Sequence, residues 1–186
     1  MTREARILLI GSGIWYVGEG LFGPLLAVFS EEIGGTILDL SWAWAAYLIV
    51  YGVLSIVFGR LSDTSIDKGK LMVFGYALNA VFTFAYLLVT TPTGLFIVQA
   101  GLGVAAAMAT PTWDALFDES SEASLDGTSW GLADGTANII TGITIVIGGL
   151  IVSYLSFQAL FVLMGTIQVI ATIYQARILT VRRRQT

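Results

Sequence analysis

The sequence predicts an all-α membrane protein: six transmembrane helices in a 3+3 inverted repeat, both termini cytoplasmic. Three observations predict it. Of 186 residues, 56% are hydrophobic and the mean hydropathy is +0.83, more apolar surface than a soluble domain of this length can bury. Apolar stretches recur at about 5–30, 38–59, 70–90, 93–117, 128–153 and 156–180. Each meets the roughly 20 residues needed to cross a hydrocarbon core of about 30 Å. Finally, all nine Lys and Arg residues sit on one side of this reading. Arg3 and Arg6 lie at the start of the first span, Arg60, Lys68 and Lys70 between the second and third, and Arg177, Arg182, Arg183 and Arg184 at the end of the sixth. By the positive-inside rule those ends are cytoplasmic, in a cell (plasma or inner) membrane.

The first span begins with Arg3 and Arg6 and an apolar run from Ile7, as a signal peptide does. The run is too long for one, carries Trp15 and Glu19, and lacks a small-residue cleavage site. Glu19 sits near the expected bilayer midplane with no basic residue at its depth. An isolated carboxylate there costs at least about 2.5 kcal/mol. It must be protonated, paired with a cation or facing water. Trp15, Tyr16, Phe22 and Gly23 are its helical neighbours, so an aromatic pocket around it is expected. Either Glu19 binds a proton or cationic substrate, or it is a neutral group bonding a neighbouring helix. Pro24 then interrupts the hydrogen-bond ladder.

The second span carries Trp44, Tyr47, Tyr51 and Ser55 at helical spacing. Such an aromatic face is packing, an interfacial belt, or, opposite an acid, a cation–π wall for an organic cation. The fourth span contains Pro111 and ends in Asp114, Asp118 and Glu119, with Glu122 and Asp126 following. These acids are expected to meet Arg60, Lys68 and Lys70 across the cytoplasmic face, as a latch or as solvated charge. In the fifth span Asp134, Asn138 and Thr141 form a polar stripe at i, i+4 and i+7, with Gly131 and Gly135 beside it. The stripe is either a close helix contact glued by Asn138 or the wall of a watery cavity.

Two segments look alike. Pro24 is followed by LLAVFSEE and Pro111 by TWDALFDE, 87 residues apart; Ser41-Trp42 and Ser129-Trp130 open spans 88 residues apart. The chain then reads as one bundle, 1–186, with repeat 1 at about 5–90 and repeat 2 at about 92–180. Three spans per repeat is an odd number, so the second copy enters the membrane from the opposite side, an architecture of transporters.

The segment after the second span reads Gly59-Arg60-Leu61-Ser62-Asp63, then Lys68-Gly69-Lys70-Leu71. It resembles the G-x-L-a-D-r-x-G-r-k signature of the major facilitator superfamily. Gly59, Leu61 and Asp63 match in place. The basic pair is shifted, Thr64 replaces the usual Arg, and Ile66-Asp67 interrupts the glycine step. The fourth span resembles the family pattern in Gly101, Gly103, Ala105 and Ala106; its usual Arg is absent, with Ile97 nearest. Family members have twelve helices in two halves, of which this chain supplies one.

The resemblance implies a secondary-active transporter working by alternating access. One half would expose its cavity wall to lipid, so a parallel homodimer, or a second half-size chain, is the expected partner. The expected substrate-or-proton site comprises Glu19, Trp15, Tyr47, Tyr51, Asp134 and Asn138, with proton coupling and a cationic or amphipathic small molecule as substrate. The expected cytoplasmic gate motif comprises Gly59, Arg60, Asp63, Lys68, Lys70, Asp114 and Asp118. Asp63 would dock at the start of the partner's fifth helix, near the partner's Asp126 to Ser129. Without His or Cys, a Ser–His site, a His–metal site and thiolate chemistry are excluded. No enzyme activity, metal, cofactor or nucleic-acid partner is expected. A non-transporting six-helix assembly or scaffold module is the alternative.

Overall fold

The computed structural model describes residues 2–64, 67–120 and 126–182, without the side chains of Asp63, Thr64 and Asp126. The expected docking of Asp63, and Glu122, Arg183 and Arg184, lie outside the described residues. The described chain is helical: α1 (Arg3–Gly20), α2 (Leu25–Glu32), α3 (Ile37–Thr64), α4 (Lys68–Ala85) prolonged by a 3₁₀ turn (Tyr86–Leu88), α5 (Pro92–Ser120), α6 (Asp126–Tyr154), α7 (Phe157–Gln175) and α8 (Arg177–Arg182). Five spans are long and apolar enough to cross a membrane, and α1 with α2, bent by 43°, makes a sixth.

Local chemistry sets these boundaries. Thr2, Asp67 and Ser156 cap α1, α4 and α7 by accepting from the backbone N–H groups of Ala5, Lys70 and Ala159. Thr36 and Asp39 cap α3 reciprocally: Asp39 N donates to Thr36 Oγ1 at 3.2 Å and Thr36 N to Asp39 Oδ2 at 2.8 Å. Gly34, at φ 79°, closes α2 in the left-handed conformation where a side chain would be strained. The two prolines act differently. Pro24 starts α2 after the bent Leu21–Pro24 turn, whereas Pro111 sits inside an unbroken α5. Beside it the Thr112 hydroxyl donates to Met108 O at 2.6 Å.

The Gly59–Asp63 segment, expected to follow the second span as a connection, is still helical. α3 runs on to Thr64, and Ser62 Oγ donates to Gly59 O at 2.8 Å. The fifth span likewise starts at Asp126, before the expected Ser129-Trp130 opening.

The centre is α5, packed against α3 and α4. α1 packs on α6 and α7, and α4 on α7. Only 11% of the most apolar stretch of α3, and likewise of α6, is buried, against 61% for α5. Thus α3 and α6 flank the bundle with open faces.

Two apolar clusters form the core. One gathers Leu21, Phe22, Phe29, Tyr86, Phe157 and Phe161; the other gathers Leu8, Met72, Leu116, Phe117, Ala171 and Ile178. Beyond the second cluster is the basic end. There Thr2 Oγ1 donates to Ser120 O at 2.9 Å, and Glu119 pairs with Lys68 at 2.7 Å and Arg182 at 3.2 Å.

Glycines report where helices touch. A Cβ on Gly75 would meet Ala109 N at 2.7 Å and Ala105 O at 2.8 Å, so α4 and α5 lie backbone to backbone. Gly148 likewise seats α6 against the Leu21 backbone, but on the outer faces of α3 and α6 the case is reversed: Gly52, Gly59, Gly131, Gly135, Gly142 and Gly149 have nothing within 4 Å of that position. Gly75→Ala should therefore destabilise the protein by about 1–3 kcal/mol through overpacking. Gly131→Ala should leave stability unchanged or raise it by up to about 1 kcal/mol from helix propensity. Thermal unfolding midpoints of the two variants in one detergent check the contrast.

Candidate functional site

Between the two apolar clusters lies a polar layer. Glu19 comes from the last turn of α1, Asn79 from the middle of α4 and Gln168 from the middle of α7. Along each of these helices the residues on one side of the layer belong to one apolar cluster and those on the other side to the second. Asn79 Nδ2 donates to Glu19 Oε1 at 2.9 Å, and Gln168 Nε2 donates to the same oxygen at 3.0 Å and to Trp15 O at 3.2 Å. Asn79 is 2% exposed and Gln168 fully buried, while Glu19 is half-buried. No described residue bonds Glu19 Oε2, and no described Lys or Arg forms an ion pair with the carboxylate.

Gly18 makes this geometry possible. A Cβ there would sit 2.6 Å from Gln168 Nε2. Seven residues earlier, Gly11 gives Gln175 the same room. With its amide oriented to satisfy both neighbours, Gln175 donates to Ile7 O at 3.2 Å and accepts from Trp113 Nε1 at 3.2 Å.

Glu19 opens into a cavity of about 390 Å³, within the size range of small-molecule sites. Trp15, Trp44, Tyr47, Tyr86 and Gln99 share its wall. Trp44 stacks on Tyr47 at 5.5 Å, and Tyr47 on Tyr51 at 6.1 Å, an aromatic ladder up α3 facing the acid. A smaller chamber of about 90 Å³ adjoins it, lined by Trp15, Tyr16, Tyr76, Trp113, Asp114, Trp130 and Asp134. The two share Trp15, Tyr16 and Thr110.

The expected site residues therefore separate. Glu19, Trp15 and Tyr47 line the larger cavity, whereas Asp134 joins Trp15 at the smaller one. Tyr51 only extends the ladder. Asn138 is exposed on α6 and donates to Asp134 O of its own helix at 2.8 Å. Among the expected gate residues, Lys68 pairs with Glu119 and Lys70 with Asp67. Asp118 is exposed, and Asp114 faces the smaller chamber.

The sequence profile of the major facilitator superfamily matches residues 8–186. The chain belongs to the major facilitator superfamily. It is accordingly a multi-pass membrane protein. An uncharacterized MFS-type transporter of Methanocaldococcus jannaschii is 25% identical over 173 residues, covering 93% of this chain and 45% of that protein. The chain thus spans about half the length of that relative.

Within this superfamily chain, sequence reasoning missed Asn79, Gln99 and Gln168. All three are amides in the interior of apolar helices, at the level of Glu19 or facing its cavity. The available signal was the seven-residue spacing shared by Gly11 and Gly18 with Gln168 and Gln175. A double-mutant cycle between Glu19→Ala and Asn79→Ala should return a coupling of about 0.6 kcal/mol, with about 1.7 as a ceiling, the range of interhelical hydrogen bonds in membranes. Unfolding of the four proteins in mixed micelles measures it, and additive losses would mean the bond contributes nothing.

Proposed function

We propose that this chain is one six-helix half of a secondary transporter. It works as a parallel homodimer by alternating access, with proton coupling at Glu19 and a cationic or amphipathic small molecule as substrate. It sits in the cell membrane with both termini cytoplasmic, a placement supported by the basic residues gathered at one end of the bundle. The observation that carries the reading is Glu19 itself. Two amides fix one of its oxygens, no described cation neutralises it, and it faces a cavity large enough for a small molecule. A purely structural carboxyl in this position would still bear the cost of burial. A site that loads and unloads a proton or an ammonium group gains its chemistry from that placement.

The partner half is supported by the open faces. Gly52 and Gly59 on α3, and Gly135, Gly142 and Gly149 on α6, repeat at seven residues and meet nothing in this half. Rows of small residues let transmembrane helices approach backbone to backbone. A second copy would cover both faces and close the cavity that α3 and α6 flank.

Glu19→Gln keeps size and hydrogen-bonding capacity but removes the exchangeable proton. Reconstituted protein carrying it should fold and assemble normally yet lose uptake driven by an imposed pH gradient, by at least roughly tenfold. Wild-type pH dependence in that variant would remove Glu19 from the coupling role. The sequence has no Cys, so Val53→Cys and Ile143→Cys, at exposed positions beside two of these glycines, are clean reporters. Both should cross-link into dimers in native membranes, and an active protein that stays monomeric would refute the assembly.

A further inference from the structure

The smaller chamber has features that the Glu19 reading does not use. Its two carboxylates come from different helices, Asp114 from α5 and Asp134 from α6. Neither carboxylate has a hydrogen bond or an ion pair with any described residue. The rest of the wall is aromatic. Trp15 meets Tyr76 edge-on at 4.2 Å, and Trp113 meets Trp130 edge-on at 6.2 Å. Trp113 is pinned by its single indole N–H, shared between Leu8 O and the Gln175 amide oxygen, each at 3.2 Å. Tyr76 is 4% exposed and lines the chamber, yet its hydroxyl has no hydrogen-bond partner among the described residues.

We propose that this chamber is a second cation site, for the head of a substituted ammonium ion. Its charge rests between Asp114 and Asp134, and its carbon atoms lie on the faces of Trp15, Trp113 and Trp130. The lining chooses the ligand class. Two carboxylates among indole rings are too few oxygen donors for a divalent metal, which takes six or more, and no group of three ligating side chains occurs among the described residues. A weakly hydrated organic cation is drawn to both wall types, the carboxylates by charge and the rings by their quadrupoles. Size sets the limit: about 90 Å³ is below the roughly 150 Å³ of a cavity that takes benzene. The chamber holds a head group, and a larger body extends past Trp15, Tyr16 and Thr110 into the Glu19 cavity. The inference deepens the cationic-substrate reading and rests on it, but its two acids line only the smaller chamber and Glu19 only the larger, so the two fail separately.

The test is titration of the full chain in lipid nanodiscs with methylammonium chloride at constant ionic strength, read by tryptophan fluorescence. Wild type should show a saturable change that sodium chloride does not reproduce. The double variant Asp114→Asn with Asp134→Asn should bind at least roughly tenfold more weakly, the loss expected when a cation keeps its aromatic contacts but not its counter-charge. Glu31→Gln, a carboxylate that lines neither cavity, should bind as wild type does. Ala133→Leu, which narrows the chamber from the exposed helix α6 and keeps both acids, should also weaken binding, and it stands in if the double variant does not fold. No saturable signal, an equal response to sodium, undiminished affinity in the double variant or in Ala133→Leu, or an equal loss in Glu31→Gln would each overturn the site.

Discussion

Everything near the centre of this bundle depends on one carboxyl oxygen. Glu19 Oε1 receives donors from α4 and α7, and so ties three helices at one level. In a low-dielectric setting such bonds are strong when made and expensive when lost. The surrounding sequence is arranged around them. Glycine at position 18 clears the path for Gln168, and the apolar clusters on either side keep the layer at one depth. The second carboxyl oxygen is left to the cavity, so the same residue is both a structural tie and an available acid.

Peripheral helices follow a different logic. α3 and α6 bury little, carry on their outer faces glycines that touch nothing, and turn their polar and aromatic groups outward or toward the two chambers. Trp44, Tyr47 and Tyr51 stack on one another along α3, and Asn138 bonds only to its own helix. Neither helix needs the other for its internal packing. They contribute walls, while α1, α4, α5 and α7 supply the rigid frame.

Much of this was legible in the sequence because membrane spans announce themselves by length and charge. The apolar stretches coincide with the observed spans, and Pro24 marks the bend between α1 and α2. Boundaries were harder. The Gly59–Asp63 segment reads as a connection on its polar residues, but the α3 helix runs through it to Thr64, with Ser62 Oγ satisfied on Gly59 O of its own helix. Glu19 stood out because a charge among apolar residues is conspicuous; its partners did not, because an amide in a long apolar run carries no charge signature. Asp114 was read with the latch acids on sequence proximity alone. Its place one turn inside α5 aims it at Trp113, Trp130 and Asp134 instead, and the latch contacts fall to Glu119.

The paired notches between α1 and α7 have a mechanical consequence. Gln168 and Gln175 enter at Gly18 and Gly11 like two teeth of a key. A slip of one helical turn, about 5.4 Å, would bring Gln168 against Ile14, Trp15, Leu21 or Phe22, and Gln175 against Ile7, Leu8, Ile14 or Trp15. None of these leaves a slot. The two helices are therefore locked in axial register and can move only as one body, with the jointed segment at Leu21–Pro24 the nearest place where motion can be taken up.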